Sequence, residues 1–217
     1  GQHAHTAPFA GCEYDGLHGP FRSRRVQSNA PAKRRAYVFA RRERSAGMTV
    51  RSRLRELPQD RPLGSLVLSV LLVEAVGASG AVFTARGLAS WYDTLQRPDL
   101  APPNWVFAPV WTTLFALMGL AVWLVWRRLD DAPAAARVAI GAFAAQFVFN
   151  LAWSAAFFGA QNIALGLLVI AVLWLLIAVT ILTFARVDRR AAALLVPYLA
   201  WVTFATVLTL EIWRLNA

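Results

Sequence analysis

The sequence predicts an all-α integral membrane protein, a bundle of five transmembrane helices, and three observations carry that prediction. Hydrophobic residues make up 58% of the 217 residues and charged residues 16%, with a positive mean hydropathy of +0.47, more apolar than a soluble domain normally is. The apolar residues gather into five runs of about 20, each long enough to cross a hydrocarbon core of about 30 Å as a helix. Charge is segregated: residues 1–61 hold 13 of the 22 Lys and Arg and 5 of the 12 acidic residues, which leaves about +2 for the remainder. A β-barrel is disfavoured because the runs lack the alternation of polar residues that a lumen requires.

The basic segment 1–61 comes first. Arg22, Arg24, Arg25, Lys33, Arg34, Arg35, Arg41, Arg42 and Arg44 follow no apolar period and are interspersed with Pro, Gly and Ser, which predicts a disordered tail. Preceding membrane spans, such a tail has anionic membrane lipid as its neighbour rather than nucleic acid. It lacks the apolar core of a secretory signal and the amphipathic period of a transit peptide. Met48-Thr49-Val50-Arg51 reads like an ordinary start just before the first span, so residues 1–47 are expected to be upstream of the natural initiator. Cys12 is the single cysteine, and His3, His5 and His18 all lie in this tail. The membrane domain 62–217 therefore has no His or Cys for a nucleophilic centre, a His-based zinc site or haem ligation, and no catalytic or metal residue is assigned.

The five spans are Leu63–Phe83, Trp105–Trp126, Arg137–Phe158, Leu165–Ala185 and Ala191–Trp213. Arg127-Arg128-Leu129-Asp130-Asp131-Ala132-Pro133, Gly159-Ala160-Gln161-Asn162 and Arg186-Val187-Asp188-Arg189-Arg190 separate them. Nineteen Lys and Arg fall on the side of the tail and of the loops after spans two and four, against Arg86, Arg97 and Arg214 opposite. The positive-inside rule then places the N-terminus in the cytoplasm and the aromatic connection between spans one and two outside.

Between spans one and two lies a long connection, residues 85–104. Trp91, Tyr92 and Leu95 recur at helical spacing, which predicts a short amphipathic helix over the mouth of the bundle, a lid. Pro102 and Pro103 end it, and Asn104 is the expected N-cap of span two. An interfacial aromatic belt is the competing reading of Trp91 and Tyr92. In span two Trp111, Phe115 and Met118 share a face, and Pro109 is expected to bend the helix. Asn150, Trp153 and Phe157 share one in span three, as do Trp201, Ala205 and Thr209 in span five, after Pro197.

Such stripes describe core packing as readily as a binding pocket, but Asn150 adds an amide that is costly in hydrocarbon unless it meets a partner or a ligand. A flat aromatic molecule would stack on Trp111, Trp153 and Trp201 while Asn150 bonds a polar edge. Glu74, midway along span one, reads either as a proton or cation handle or as a buried neutral carboxyl. Glu211 and Arg214, three apart near the surface, read as an ion pair.

The run Trp91–Trp126, with Leu117-Met118-Gly119-Leu120-Ala121-Val122-Trp123, and the run Pro197-Tyr198-Leu199-Ala200-Trp201-Val202-Thr203-Phe204-Ala205-Thr206 resemble the tryptophan-rich sensory protein family. This is the bacterial and archaeal branch of the translocator protein, or peripheral-type benzodiazepine receptor, and the similarity spans roughly residues 63–216. The resemblance implies a five-helix bundle, homodimeric, whose first long loop closes a pocket for porphyrins, sterols and synthetic aromatic ligands. Carried over by motif, the pocket residues are Trp111, Phe115, Asn150, Trp153, Trp201 and Ala205, with Trp91 contributed by the lid. Where the animal cholesterol motif has a tyrosine and an asparagine, this chain has Leu210 and Thr209, which disfavours cholesterol recognition. Gly141 and Ala145 give one small-xxx-small step on span three for a dimer.

The expected function is a membrane receptor or sensor with a regulatory role, binding protoporphyrin IX, haem-type porphyrins or other hydrophobic aromatic molecules. Porphyrin is a ligand on this reading, not an obligatory cofactor. Light-dependent oxidative degradation of porphyrin, as the resemblance implies for some members, is one alternative. Transport of porphyrin or sterol with Glu74 as coupling carboxylate is another, weakened by the absence of repeated halves.

Overall fold

A computed structural model describes residues 50–217. The expectations for the tail, including a start at Met48, lie outside the described residues except over residues 50–61. There the chain is helical: α1 (Val50–Asp60) is rich in Arg and Leu, both good helix formers. The Trp126 indole N–H donates to the Leu54 carbonyl at 3.0 Å, and Gln59 Nε2 donates to Asp130 at 3.1 Å. Disorder expected up to residue 61 thus gives way to helix at Val50, where helix formers meet tertiary partners that charge counting does not register.

Five helical spans follow: α2 (Pro62–Ser90), α3 (Phe107–Trp126), α4 (Pro133–Ser154), α5 (Ile163–Ala185) and a last span in two pieces, α6 (Arg189–Leu194) and α7 (Val196–Asn216). All five are long and apolar enough to cross a membrane. Their outer faces present aliphatic side chains such as Leu71, Leu72, Val138, Val148, Leu168 and Leu182, each at least 60% exposed. In lipid that exposure is favourable, and a helix satisfies its own backbone. α2 packs along α3, α4 along α5, and α5 along α7, while α4 also touches α2 and α3.

Local chemistry sets the boundaries. Pro62 and Pro133 open α2 and α4 at the first helical position, where a missing N–H costs nothing. Asn162 caps α5 by accepting from the Leu165 N–H at 2.9 Å, and Asp188 caps α6 by accepting from the Arg190 N–H at 2.8 Å. Pro197 lies in the first turn of α7, after a break at Leu195. Pro109 likewise falls in the first turn of α3, so it removes no interior hydrogen bond, and the cause for which a bend was expected is absent. Span three closes with a π-helical turn, Ala155–Gly159, in which the Ala160 N–H reaches the Ala155 carbonyl at 2.7 Å. Gln161 then turns the chain at φ 52°.

The two ends of the bundle are distinct. At one, Arg128 approaches Asp188 at 4.0 Å, joining the loop after span two to the loop after span four on the same side as α1. At the other end lie the connection after α2, the π turn and the C-terminus. Among the described residues, α1 and the basic loops after spans two and four therefore lie at one end.

Candidate functional site

Connection 91–103 is shorter than the 85–104 expected, because α2 runs on to Ser90 through Thr84-Ala85-Arg86-Gly87-Leu88-Ala89 with no proline to stop it. It contains a single 3₁₀ turn, Tyr92–Thr94, in place of an amphipathic helix. Pro98 follows too closely for a second turn to form. Asn104 does not cap α3. It opens a second 3₁₀ turn, Asn104–Val106, and its amide donates to Asp93 at 3.2 Å.

The lid is held at both flanks. Tyr92 is 1% exposed, edge-on to Phe107 and Phe157, with the Arg97 guanidinium 5.2 Å above its ring. Burial pushes the Tyr92 hydroxyl above the usual phenol range; Arg97 opposes this and Asp93 adds to it. Arg97 pairs with Asp93 at 3.3 Å. Across the bundle, Asn216 near the end of α7 accepts from the Gln96 N–H at 3.0 Å and donates to the Gln96 carbonyl at 2.9 Å. This reciprocal pair joins lid to last span.

Under the lid, a cavity of about 270 Å³ opens between α2 and α3 and reaches α4. From α2 it takes Glu74, Gly77, Gly80 and Thr84; from α3 Phe107, Trp111 and Phe115; from α4 Asn150 and Ser154. Small residues on α2 make the room. A Cβ on Gly77 would stand 2.5 Å from the Phe115 ring, so glycine lets that ring lie against the α2 backbone. The cavity-lining Ala78 and Ala81 of α2 and Ala108 and Thr112 of α3 are exposed on the outside of the bundle. The space therefore faces the membrane side as well as the lid.

Of the seven predicted residues, Trp111, Phe115 and Asn150 line this cavity. Trp111 lies 5.4 Å from Phe115 and 6.4 Å from Trp153 between ring centroids. Trp153 is buried behind it, stacked on Phe157 at 5.7 Å, and forms the second layer of the wall. Trp91 packs edge-on against Phe157 from the lid, at 5.3 Å. Trp201 lies against Phe107 at 6.2 Å, and Ala205 is buried on α7 one turn below it; neither borders the cavity. The helical stripes are thus brought into one aromatic cluster, but open space lies on its α2 flank rather than at its centre.

Asn150, 3% exposed, is held from behind. Its amide Nδ2 donates to the Tyr198 hydroxyl at 3.0 Å, and that hydroxyl donates to Gln146 Oε1 at 3.0 Å. Spacing singles out neither Gln146 nor Tyr198, although Gln146 sits one helical turn before Asn150 and marks a second amide in hydrocarbon. The small-residue run Gly77-Ala78-Ser79-Gly80-Ala81 is the available signal for the α2 wall. Glu74 is half-buried at the cavity edge with no cation beside it among the described residues. Glu211 pairs with Arg214 at 2.7 Å, as expected.

The chain is similar in sequence to known proteins. A profile of the TspO/MBR family matches residues 69–214. The chain is 44% identical over 156 residues to the Tryptophan-rich protein TspO of Chlorobaculum tepidum, covering 70% of this chain and 96% of that protein. It is 40% identical over 149 residues to the Tryptophan-rich sensory protein of Cereibacter sphaeroides, covering 67% and 91%. With the Translocator protein of Bos taurus it shares 36% over 146 residues, covering 67% and 86%. By the family profile and by the extent of these similarities, this five-span membrane protein belongs to the TspO/MBR family.

Proposed function

We propose that the protein is a membrane receptor for tetrapyrroles such as protoporphyrin IX and for other flat aromatic molecules, with a regulatory role. The observation that carries this reading is the convergence of one aromatic wall on α3, Trp111 and Phe115, with the buried amide of Asn150 from α4 on one cavity. An apolar space with a few placed polar groups is what a small-molecule site requires. Relatives named as sensory and translocator proteins support a ligand-responsive membrane role. At about 270 Å³ the cavity falls just below the usual size of ligand sites, roughly 300 to 1,000 Å³. A tetrapyrrole therefore enters by displacing the lid or parting α2 from α3, and stacks on Trp111.

Titrating the purified protein with protoporphyrin IX in the dark, following tryptophan quenching, tests this. Saturable quenching weakened by Trp111→Phe and by Asn150→Ala supports the site; quenching indifferent to both refutes it. Illumination of the same samples separates binding from the alternative of porphyrin degradation. The position of Glu74 on the cavity edge favours transport as a second reading, for which proton-coupled porphyrin uptake in vesicles must be lost in Glu74→Gln.

A cytoplasmic N-terminus in a bacterial or archaeal cell membrane is part of the proposal, supported by the basic end of the bundle, and reporter fusions at either terminus check it. A homodimer is part of the same reading. It is supported by the α4 face at Gly141, where an added Cβ would meet open space, and light scattering in detergent reads it directly.

A further inference from the structure

We infer that Gln146 and Tyr198 decide which end of the Asn150 amide faces the cavity, and that this polarity reverses to suit the ligand. The inference deepens the proposed aromatic-ligand site and rests on it.

The three side chains form a chain with a direction. As it stands, Asn150 Nδ2 donates to the Tyr198 hydroxyl, which spends its single proton on Gln146 Oε1. Asn150 Oδ1 is left for the cavity, and it accepts from no donor among the described residues. At the far end Gln146, 1% exposed, has its Nε2 buried without a partner. All three members sit within the membrane-spanning helices, where no bulk water relieves that orphan.

Rotating both terminal amides by half a turn gives the mirror arrangement. Gln146 Nε2 then donates to Tyr198, the hydroxyl donates to Asn150 Oδ1, and Asn150 Nδ2 faces the cavity. Both directions contain two internal hydrogen bonds and one orphaned atom on Gln146. The second replaces a buried orphan N–H by a buried orphan carbonyl, the commoner and less costly of the two. The directions are therefore close in free energy, and one hydrogen bond to a ligand is enough to choose between them. Terminal amide torsions are broad, so reversal needs no backbone movement. The ligand class follows: planar aromatic molecules carrying either an N–H donor or a carbonyl acceptor at the edge that meets Asn150.

Tyr198 and Gln146 are positioning residues here, and Gln146→Met locks the switch. It keeps side-chain volume while removing the acceptor for the Tyr198 proton, which must then go to Asn150 Oδ1, leaving Nδ2 towards the cavity. The probes are carbazole, a tricycle with an N–H, and fluorenone, a tricycle of similar outline with a carbonyl. Calorimetric titration of the full chain in detergent gives their ratio of Kd values. Wild type is expected to bind both within about threefold, and Gln146→Met to weaken carbazole relative to fluorenone on the order of tenfold, the scale of one mismatched buried hydrogen bond. Should Gln146→Met not fold, Tyr198→Phe carries the test: both Kd values rise while their ratio stays. An unchanged ratio in Gln146→Met, or a changed ratio in Tyr198→Phe, overturns the inference while the aromatic site stands, provided Asn150→Ala weakens both probes. If wild type binds neither probe, the proposed site falls and this inference with it.

Discussion

The two halves of the α2–α3 pair are built on opposite plans. Toward the basic end the helices touch backbone to backbone: a Cβ on Gly119 would stand 2.6 Å from the Val70 Cα, and Ser69 donates to the Gly119 carbonyl at 2.8 Å. One turn further, the Trp123 indole N–H donates to Ser65 at 3.0 Å. Toward the lid the Phe115 ring of α3 lies against Gly77 of α2, and beside it the helices part around the cavity lined by Gly80 and Ala81 of α2 and Trp111 of α3. Glycine serves both halves, in one by admitting the neighbouring backbone and in the other by admitting a ring. Small residues thus close a membrane helix pair or open it according to what stands opposite.

Breaking the closed half should have the largest effect. Gly119→Val drives a branched side chain into the Val70 backbone, which cannot yield as a side chain can. A loss on the order of 3 kcal/mol is expected, seen as a lower thermal midpoint in detergent. Trp123→Phe removes the bond to Ser65 and weakens the contact of the Arg127 guanidinium with the ring, at 4.7 Å, and should lose about 1 kcal/mol. Near-equal losses for the two would mean that the close approach at Gly119 does not set the pair.

On the open half, stability should respond less than exchange. Asn216→Ala removes both bonds to Gln96, and ligand should then dissociate several-fold faster, about 1 kcal/mol being at stake in an exposed pair. Stopped-flow quenching reads that rate; an unchanged rate would show that the lid is not fastened there. The smallest effect is alkaline. Tyr92 is held protonated above its ordinary pKa of about 10 by burial, so the unfolded chain releases this proton first and stability falls as pH rises past that value. Below about pH 10 this contribution is complete, and Tyr92→Phe should remove the decline seen above it.

How far the sequence carried these halves differs too. Five spans, their order and their common basic end follow from apolar run length and from the placement of Arg, signals that lipid makes strong because few residues are tolerated inside it. Trp111, Phe115 and Asn150 were legible because helical spacing put ring and amide on inward faces. The α2 wall was not, since Gly77 and Gly80 contribute by lacking side chains and a periodicity search scores only what is present. Trp201 and Ala205 share the right face of α7, yet Phe107 and Trp111 stand between that face and the cavity, a matter of depth rather than of period. The π turn at Ala155–Gly159 leaves no mark in composition, and the lid stayed non-helical because Pro98 leaves too few residues after α2.

Protoporphyrin IX titration of Gly77→Leu, beside wild type and Gly64→Leu at the basic end, tests most directly that the open half of the α2–α3 pair is the ligand site. The side chain gained in Gly77→Leu would push into the space now shared by Phe115 and the cavity, whereas Gly64 has only the Arg61 Cβ within reach, at 3.8 Å. Saturable tryptophan quenching in wild type and Gly64→Leu, weakened on the order of tenfold or more in Gly77→Leu, is the expected result. Wild-type affinity in a folded Gly77→Leu protein would contradict the account.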